Sequence, residues 1–170
     1  MDERRTRAAM KTQQILNGAF VVCSLALVAC GGGEGPILAP PPVPVAYQDK
    51  HMPDGWWTDP KIIEEGKKIF IGEENIDVNC ASCHGKDGKP VKRGARDFRV
   101  AQRMSLYSDS VWFWRVSEGV SKTKMKAWKS KLSEEDIWKV IAYEHTFSHG
   151  GQPAAHDDFK PAPTTAEASR

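Results

Sequence analysis

Cys80-Ala81-Ser82-Cys83-His84 places two thiols and an imidazole at the spacing that covalent haem attachment requires. Each thiol adds across one vinyl group of the porphyrin, and the two intervening residues set the thiols at the vinyl separation. The next residue, His84, then lies beneath the iron, where its imidazole serves as an axial ligand. The covalent links hold the cofactor even in a small, thin-walled domain, so haem supplies core as well as chemistry.

The same thiol spacing serves zinc sites and thioredoxin-like redox centres. A structural zinc site needs two more ligands at similar spacing. The other cysteines, Cys23 and Cys30, lie in an N-terminal export segment, and His51, His145, His149 and His156 form no tight pair. A dithiol oxidoreductase would set its motif after a strand in a βαβ context. Here the residues before Cys80 read as a helix, and no strand pattern surrounds them.

Residues 1–30 combine basic Arg4, Arg5, Arg7 and Lys11 with an apolar stretch, Ile15 to Ala29, the make-up of a bacterial export signal. The stretch is shorter than the ~20 apolar residues that a membrane helix needs. Its end, Leu27-Val28-Ala29-Cys30 before three glycines, resembles a lipobox, at which a lipoprotein peptidase cleaves and Cys30 becomes the acylated first residue. The alternatives are an ordinary signal peptide with an incidental cysteine and an uncleaved anchor. Haem c is attached outside the cytoplasmic membrane in bacteria, so the export signal and the CASCH motif support each other. The expected location is the periplasmic side, anchored to the membrane through Cys30, or the periplasm if Cys30 is not lipidated.

Residues 1–29 thus read as a lipoprotein-type signal peptide and 30–48 as a Gly/Pro-rich tether, with Gly31 to Gly35 followed by Pro36, Pro40, Pro41, Pro42 and Pro44. Glycine gives flexibility and the proline run favours extended polyproline II, so a dozen such residues reach about 40 Å. Residues 49–149 read as one folded domain of ordinary size. Residues 150–170, rich in Pro, Ala, Asp and Thr, read as a disordered tail.

Three helices can be placed in the domain. Asp59-Pro60 is an N-cap with proline at the first helical position, and Ile62, Ile63, Gly66, Ile69 and Phe70 follow at helical spacing. Gly66 costs about 1 kcal/mol relative to Ala in mid-helix, a cost that close approach by another helix would explain. A middle helix from about Asp109 to Glu118 carries Val111, Trp112, Phe113, Trp114 and Val116, with Gly119 to end it. Ser133-Glu134-Glu135-Asp136 is a capping box that opens a last helix running toward Phe147, with Trp138, Ile141 and His145 on one face. The chain reads as all-α, without convincing strands.

This arrangement resembles the class I monohaem c-type cytochromes from about Trp57 to Phe147. Beyond CASCH, Gly66 and Phe70 match the family's Gly-x-x-x-Phe/Tyr pattern, and Trp138 and Tyr143 stand in a last helix whose aromatic residue packs against the first. The resemblance implies the cytochrome c fold, three to five short helices around one covalently bound haem c, with the terminal helices crossed beside it. It also implies a methionine as second axial ligand on a loop before the last helix. Met125 stands there, 41 residues after His84. A thioether favours ferrous iron, so a His/Met pair raises the potential relative to bis-His. The family usually has proline after this methionine; Lys126 takes its place here, which leaves the loop less fixed. Met104 is the next candidate, Met52 a poorer one, and His145 reads as structural.

The whole chain has formal charge +2, and removing residues 1–29 deletes four basic and two acidic side chains, so net charge names no partner. Distribution says more. By the family's topology Lys92, Arg93, Arg96, Arg99 and Arg103, with Lys122, Lys124, Lys126, Lys129 and Lys131, border the haem crevice as a basic rim. Such a rim suits redox partners with acidic docking faces, the alternative being a solvated lysine surface. Arg96 is a candidate propionate partner. An exported haem domain has no nucleic acid to bind. The expected function is a single-electron carrier, not an enzyme, cycling Fe(III)/Fe(II) haem c between respiratory redox partners outside the cytoplasmic membrane. Two alternatives stay open. One is a haem-bearing subunit of a larger oxidoreductase complex, with Trp112-Phe113-Trp114 as interface. The other is a ligand-binding or peroxidatic haem with weak sixth ligation. The expected state is a monomer or a subunit of a respiratory complex.

Overall fold

Asp59 turns the chain into its first long helix. Its carboxylate accepts hydrogen bonds from the backbone N–H groups of Lys61 and Ile62, and Pro60 brings a φ already suited to the first turn. The computed structural model describes residues 39–156, and every regular element within them is helical. Helix α1 spans Pro60–Ile71, α4 spans Asp109–Glu118 and α5 spans Glu134–Thr146, as the sequence predicts to within a residue or two. Two four-residue helices, α2 (Ala81–His84) and α3 (Ala101–Met104), lie between, with single 3-10 turns at Val45–Tyr47 and Phe147–His149. The described residues contain no strand, in keeping with a cytochrome c fold. None of their helices is long and apolar enough to cross a membrane. The expected signal segment, Cys30, the tether through residue 38 and the tail from residue 157 lie outside the described residues.

Helices α1 and α5 cross at Gly66. A Cβ built on Gly66 would lie 1.9 Å from the Lys139 carbonyl oxygen, so the two backbones meet where no side chain fits. This is the physical reason for a glycine in mid-helix. Lys139 then ties the pair, its Nζ lying 3.0 Å from the Glu65 carboxylate on α1 and 2.7 Å from Glu135 one turn away on α5. Ile69, Phe70, Ile137, Val140 and Ile141 are each at most 4 % exposed, and burial of side chains of this kind contributes about 1.5–3 kcal/mol apiece. The capping box predicted for α5 is present. The Ser133 hydroxyl accepts from the Asp136 N–H, and the Asp136 carboxylate accepts from the Ser133 N–H.

Helix α4 packs Trp112, Phe113 and Val116 into the same core. The idea that Trp112-Phe113-Trp114 forms an interface is therefore corrected, because the first two rings are buried. Trp114 alone is half-exposed, with the Arg115 guanidinium 4.3 Å over its ring.

Packing also starts before residue 49 and continues past residue 149. Tyr47, assigned to the tether, lays its ring 6.2 Å from Phe113 and donates a hydrogen bond to Glu118. After Gly150 the chain returns to the domain, where His156 Nε2 lies 3.1 Å from the Tyr107 carbonyl oxygen and 3.8 Å from the Asp109 carboxylate. The His156 ring meets Trp57 and His145, and His145 meets His149, at centroid distances of 4.5–4.9 Å. Histidines that form no tight pair in the sequence are thus gathered by the tertiary fold. Among the described residues, however, no group of His, Cys, Asp or Glu is arranged to hold a metal ion.

Candidate functional site

Helix α2 runs through the motif itself, with Cys80 as its N-cap residue. One helical turn brings Cys80, Cys83 and His84 to neighbouring positions on one side, since residues three and four apart share a face. Both thiols are free, Cys80 buried and Cys83 half-buried. Burial, reinforced by the Glu144 carboxyl, pushes the Cys80 thiol far above its ordinary range. A dithiol redox nucleophile needs the opposite, a depressed pKa, so the local environment opposes that reading.

His84 is buried, and burial lowers its pKa, opposed by its bond to Arg96. Its Nδ1 lies 3.1 Å from the Arg96 carbonyl oxygen. A carbonyl can only accept, so in the neutral ring Nδ1 carries the proton and Nε2 presents the lone pair. This is the arrangement a metal-ligating histidine uses. The Phe98 ring stacks on the imidazole at 4.3 Å and 10° and limits its rotation.

The imidazole borders a cleft whose wall includes Phe98, Val116, Val120 and, from the loop after α4, Met125. Among the described residues Met125 is the one methionine in this wall. Met104 is 2 % exposed and Met52 6 % exposed, both within the apolar core, so neither takes the place predicted for a second ligand. The Met125 loop is braced although no proline follows it. The Val120 N–H donates to the Met125 carbonyl, the Met125 N–H to the Thr123 hydroxyl and the Thr123 N–H to the Val120 carbonyl, each at 3.1 Å. Gly119 fits beneath this loop with φ 71°; a Cβ there would lie 2.4 Å from the Met125 carbonyl oxygen.

Haem is a flat apolar disc with two carboxylates, and the cleft offers matching groups. Trp112 Nε1 is buried without a hydrogen-bond partner among the described residues, and Trp112 lines the cleft. Two guanidinium-bearing residues, Arg96 and Arg115, line it as well. Sequence reasoning named Arg96 and missed Arg115 and Trp112. Their spacing with Val116 on α4, three and four residues apart, is the signal that could have found them. Sequence reasoning also missed Glu144 of α5, a cleft-lining carboxyl that is 4 % exposed.

The basic rim is thinner than expected. Arg103 is buried on α3, while Arg99 pairs with Asp97, Lys129 with Glu118 and Lys131 with Asp77. Lys92, Arg93, Lys122, Lys124 and Lys126 remain exposed.

Residues 63–143 match the family model described as cytochrome c oxidase, cbb3-type, subunit III. The cbb3-type cytochrome c oxidase subunit CcoP of Cereibacter sphaeroides is 31 % identical over 100 residues, 54 % of this chain and 30 % of that protein. The FixP subunits of Rhizobium meliloti and Sinorhizobium medicae are each 26 % identical over 101 residues, 55 % of this chain and 30 % of each relative. The chain thus spans about 30 % of the length of these curated relatives. No solved structure gives a significant match. With the all-helical fold, these matches make the domain similar to part of cbb3-type cytochrome c oxidase subunits and support a c-type cytochrome.

Proposed function

We propose that this chain is a haem c domain that passes single electrons to or within a respiratory oxidase complex. The observation that carries the reading is that His84 of the CASCH motif, its Nδ1 bonded to the Arg96 carbonyl, and Met125 line one cleft. Bound haem supplies reversible one-electron Fe(III)/Fe(II) chemistry. The chain's own residues do the rest. Cys80 and Cys83 would hold the ring through thioethers, and His84 and Met125 would ligate its iron. Trp112, Arg96 and Arg115 receive the propionates, and the buried aromatic wall keeps water from the iron. No nucleophile or general acid–base pair is called for.

The similarity to cbb3-type oxidase subunits favours a role as an oxidase subunit over a freely diffusing carrier. Export, lipidation of Cys30 and a periplasmic-side membrane anchor belong to the same proposal, with the exposed lysines flanking Met125 as the docking edge for an acidic partner.

Expression in a host with haem attachment machinery tests it. The wild type should keep one haem per chain after denaturation, and Cys80→Ser and Cys83→Ser should each lose a covalent link. Wild-type protein that releases its haem on denaturation would contradict the proposal. Co-purification that survives high salt supports the subunit role, whereas binding lost at moderate salt supports the carrier.

A further inference from the structure

Helix α5 turns a carboxyl into the cleft. Glu144 is 4 % exposed and lines the cleft with His84 and Met125, and its carboxyl makes no hydrogen bond or ion pair with any described residue. A buried, unpartnered carboxylate is costly, so its charge depends on what else the cleft holds. The other titratable or sulfur-bearing groups that line the cleft are His84 of α2, Arg96 from the loop beyond, Tyr107 and Arg115 from the α4 region, and Met125, while the Cys80 thiol just ahead of α2 feels the Glu144 charge. Helix α1 adds no titratable group to this wall. Arg103 of α3 is buried. On α5 itself, the neighbouring His145 packs instead against Trp57, His149 and His156.

Resting on the haem c reading above, we propose that Glu144 couples protons to electrons: the protein takes up one proton at Glu144 when its haem is reduced and releases it on reoxidation. One electron from a one-electron donor converts Fe(III) to Fe(II). One proton from solvent forms the O–H bond of the Glu144 carboxyl, and no other bond is made or broken. The ferric centre carries one more positive charge than the ferrous one, so it favours the carboxylate, and its loss on reduction favours the neutral acid. Burial already lifts this carboxyl from 4.5 to about 8. The carboxyl is neither an iron ligand nor hydrogen-bonded to one.

The test is the midpoint potential as a function of pH for wild type and Glu144→Gln, both carrying attached haem. The wild type should fall toward a slope of about 59 mV per tenfold drop in proton activity, the one-electron equivalent of a tenfold change in equilibrium constant. The slope should appear around neutral to mildly alkaline pH and be missing from Glu144→Gln. Superposable curves would overturn the proposal. Reduced-minus-oxidised infrared spectra of wild type labelled with carbon-13 glutamate decide it if the variant does not fold. A labelled carboxylic acid C=O band should grow on reduction, and its absence would also overturn the proposal. Failure of the haem reading is distinguishable, because then no covalent haem spectrum is obtained at all.

Discussion

At the scale of single residues, the site depends on backbone groups that hold two side chains. The Arg96 carbonyl sets the tautomer of His84, and Gly119 makes room for the loop that carries Met125. Gly119→Ala should strain a backbone at φ 71° and drive the new methyl against the Met125 carbonyl. The expected cost is about 1–3 kcal/mol of stability. The expected signature is loss of the sulfur-to-iron charge-transfer band while the haem stays covalently attached; an intact band would show that the loop does not depend on this close approach. That His84 of CASCH and Met125 share one cleft was foreseeable, because the motif is local and the methionine's place followed from the family resemblance. Glu144 was not. Position 144 reads as an ordinary polar site on a capped helix, and its burial arises only from the wall of the cleft opposite.

At the scale of elements, the caps announced the long helices. Asp59-Pro60, Ser133 with Asp136, and Gly119 each act where the sequence places them. Helices α2 and α3, of four residues each, are too short to show a hydrophobic period, so no pattern could place them. The crossing of α1 on α5 was foreshadowed by Gly66. Gly66→Ala gains about 1 kcal/mol of helix propensity, yet must force two backbones apart. The expected net loss is about 2 kcal/mol or more, read as a lower urea midpoint by haem absorbance. Unchanged or higher stability would mean that the helices can separate at no cost.

At the scale of the whole molecule, the cluster of Trp57, His145, His149 and His156 joins the segment before α1, the end of α5 and the chain beyond it. It was invisible in the sequence because 99 residues separate its ends. Burial, then the nearby His156 and His149, hold the His145 pKa down from 6.5 to about 3. A depressed histidine is neutral when folded, so the unfolded chain binds the extra proton first. Its contribution is complete above pH 6.5 and is lost as pH falls toward 3, at up to about 1.4 kcal/mol per pH unit. Urea unfolding of wild type and His145→Gln across this window should show a shallower acid slope in the variant. Identical slopes would place the acid sensitivity elsewhere. The proposed docking belongs to the same scale: with Arg99, Lys129 and Lys131 already paired, the exposed Lys122, Lys124 and Lys126 are the lysines beside Met125 that would steer an acidic partner. Their replacement by glutamine should slow association at low salt and leave the already screened, slower rate at high salt unchanged.

The central claim is that His84 and Met125 close on one haem iron. The most direct measurement is the ferric optical spectrum of haem-loaded wild type and Met125→Ala. A weak far-red sulfur-to-iron charge-transfer band, present in wild type and absent in Met125→Ala, is the predicted result. A wild type that lacks the band and binds carbon monoxide readily when reduced would contradict the account.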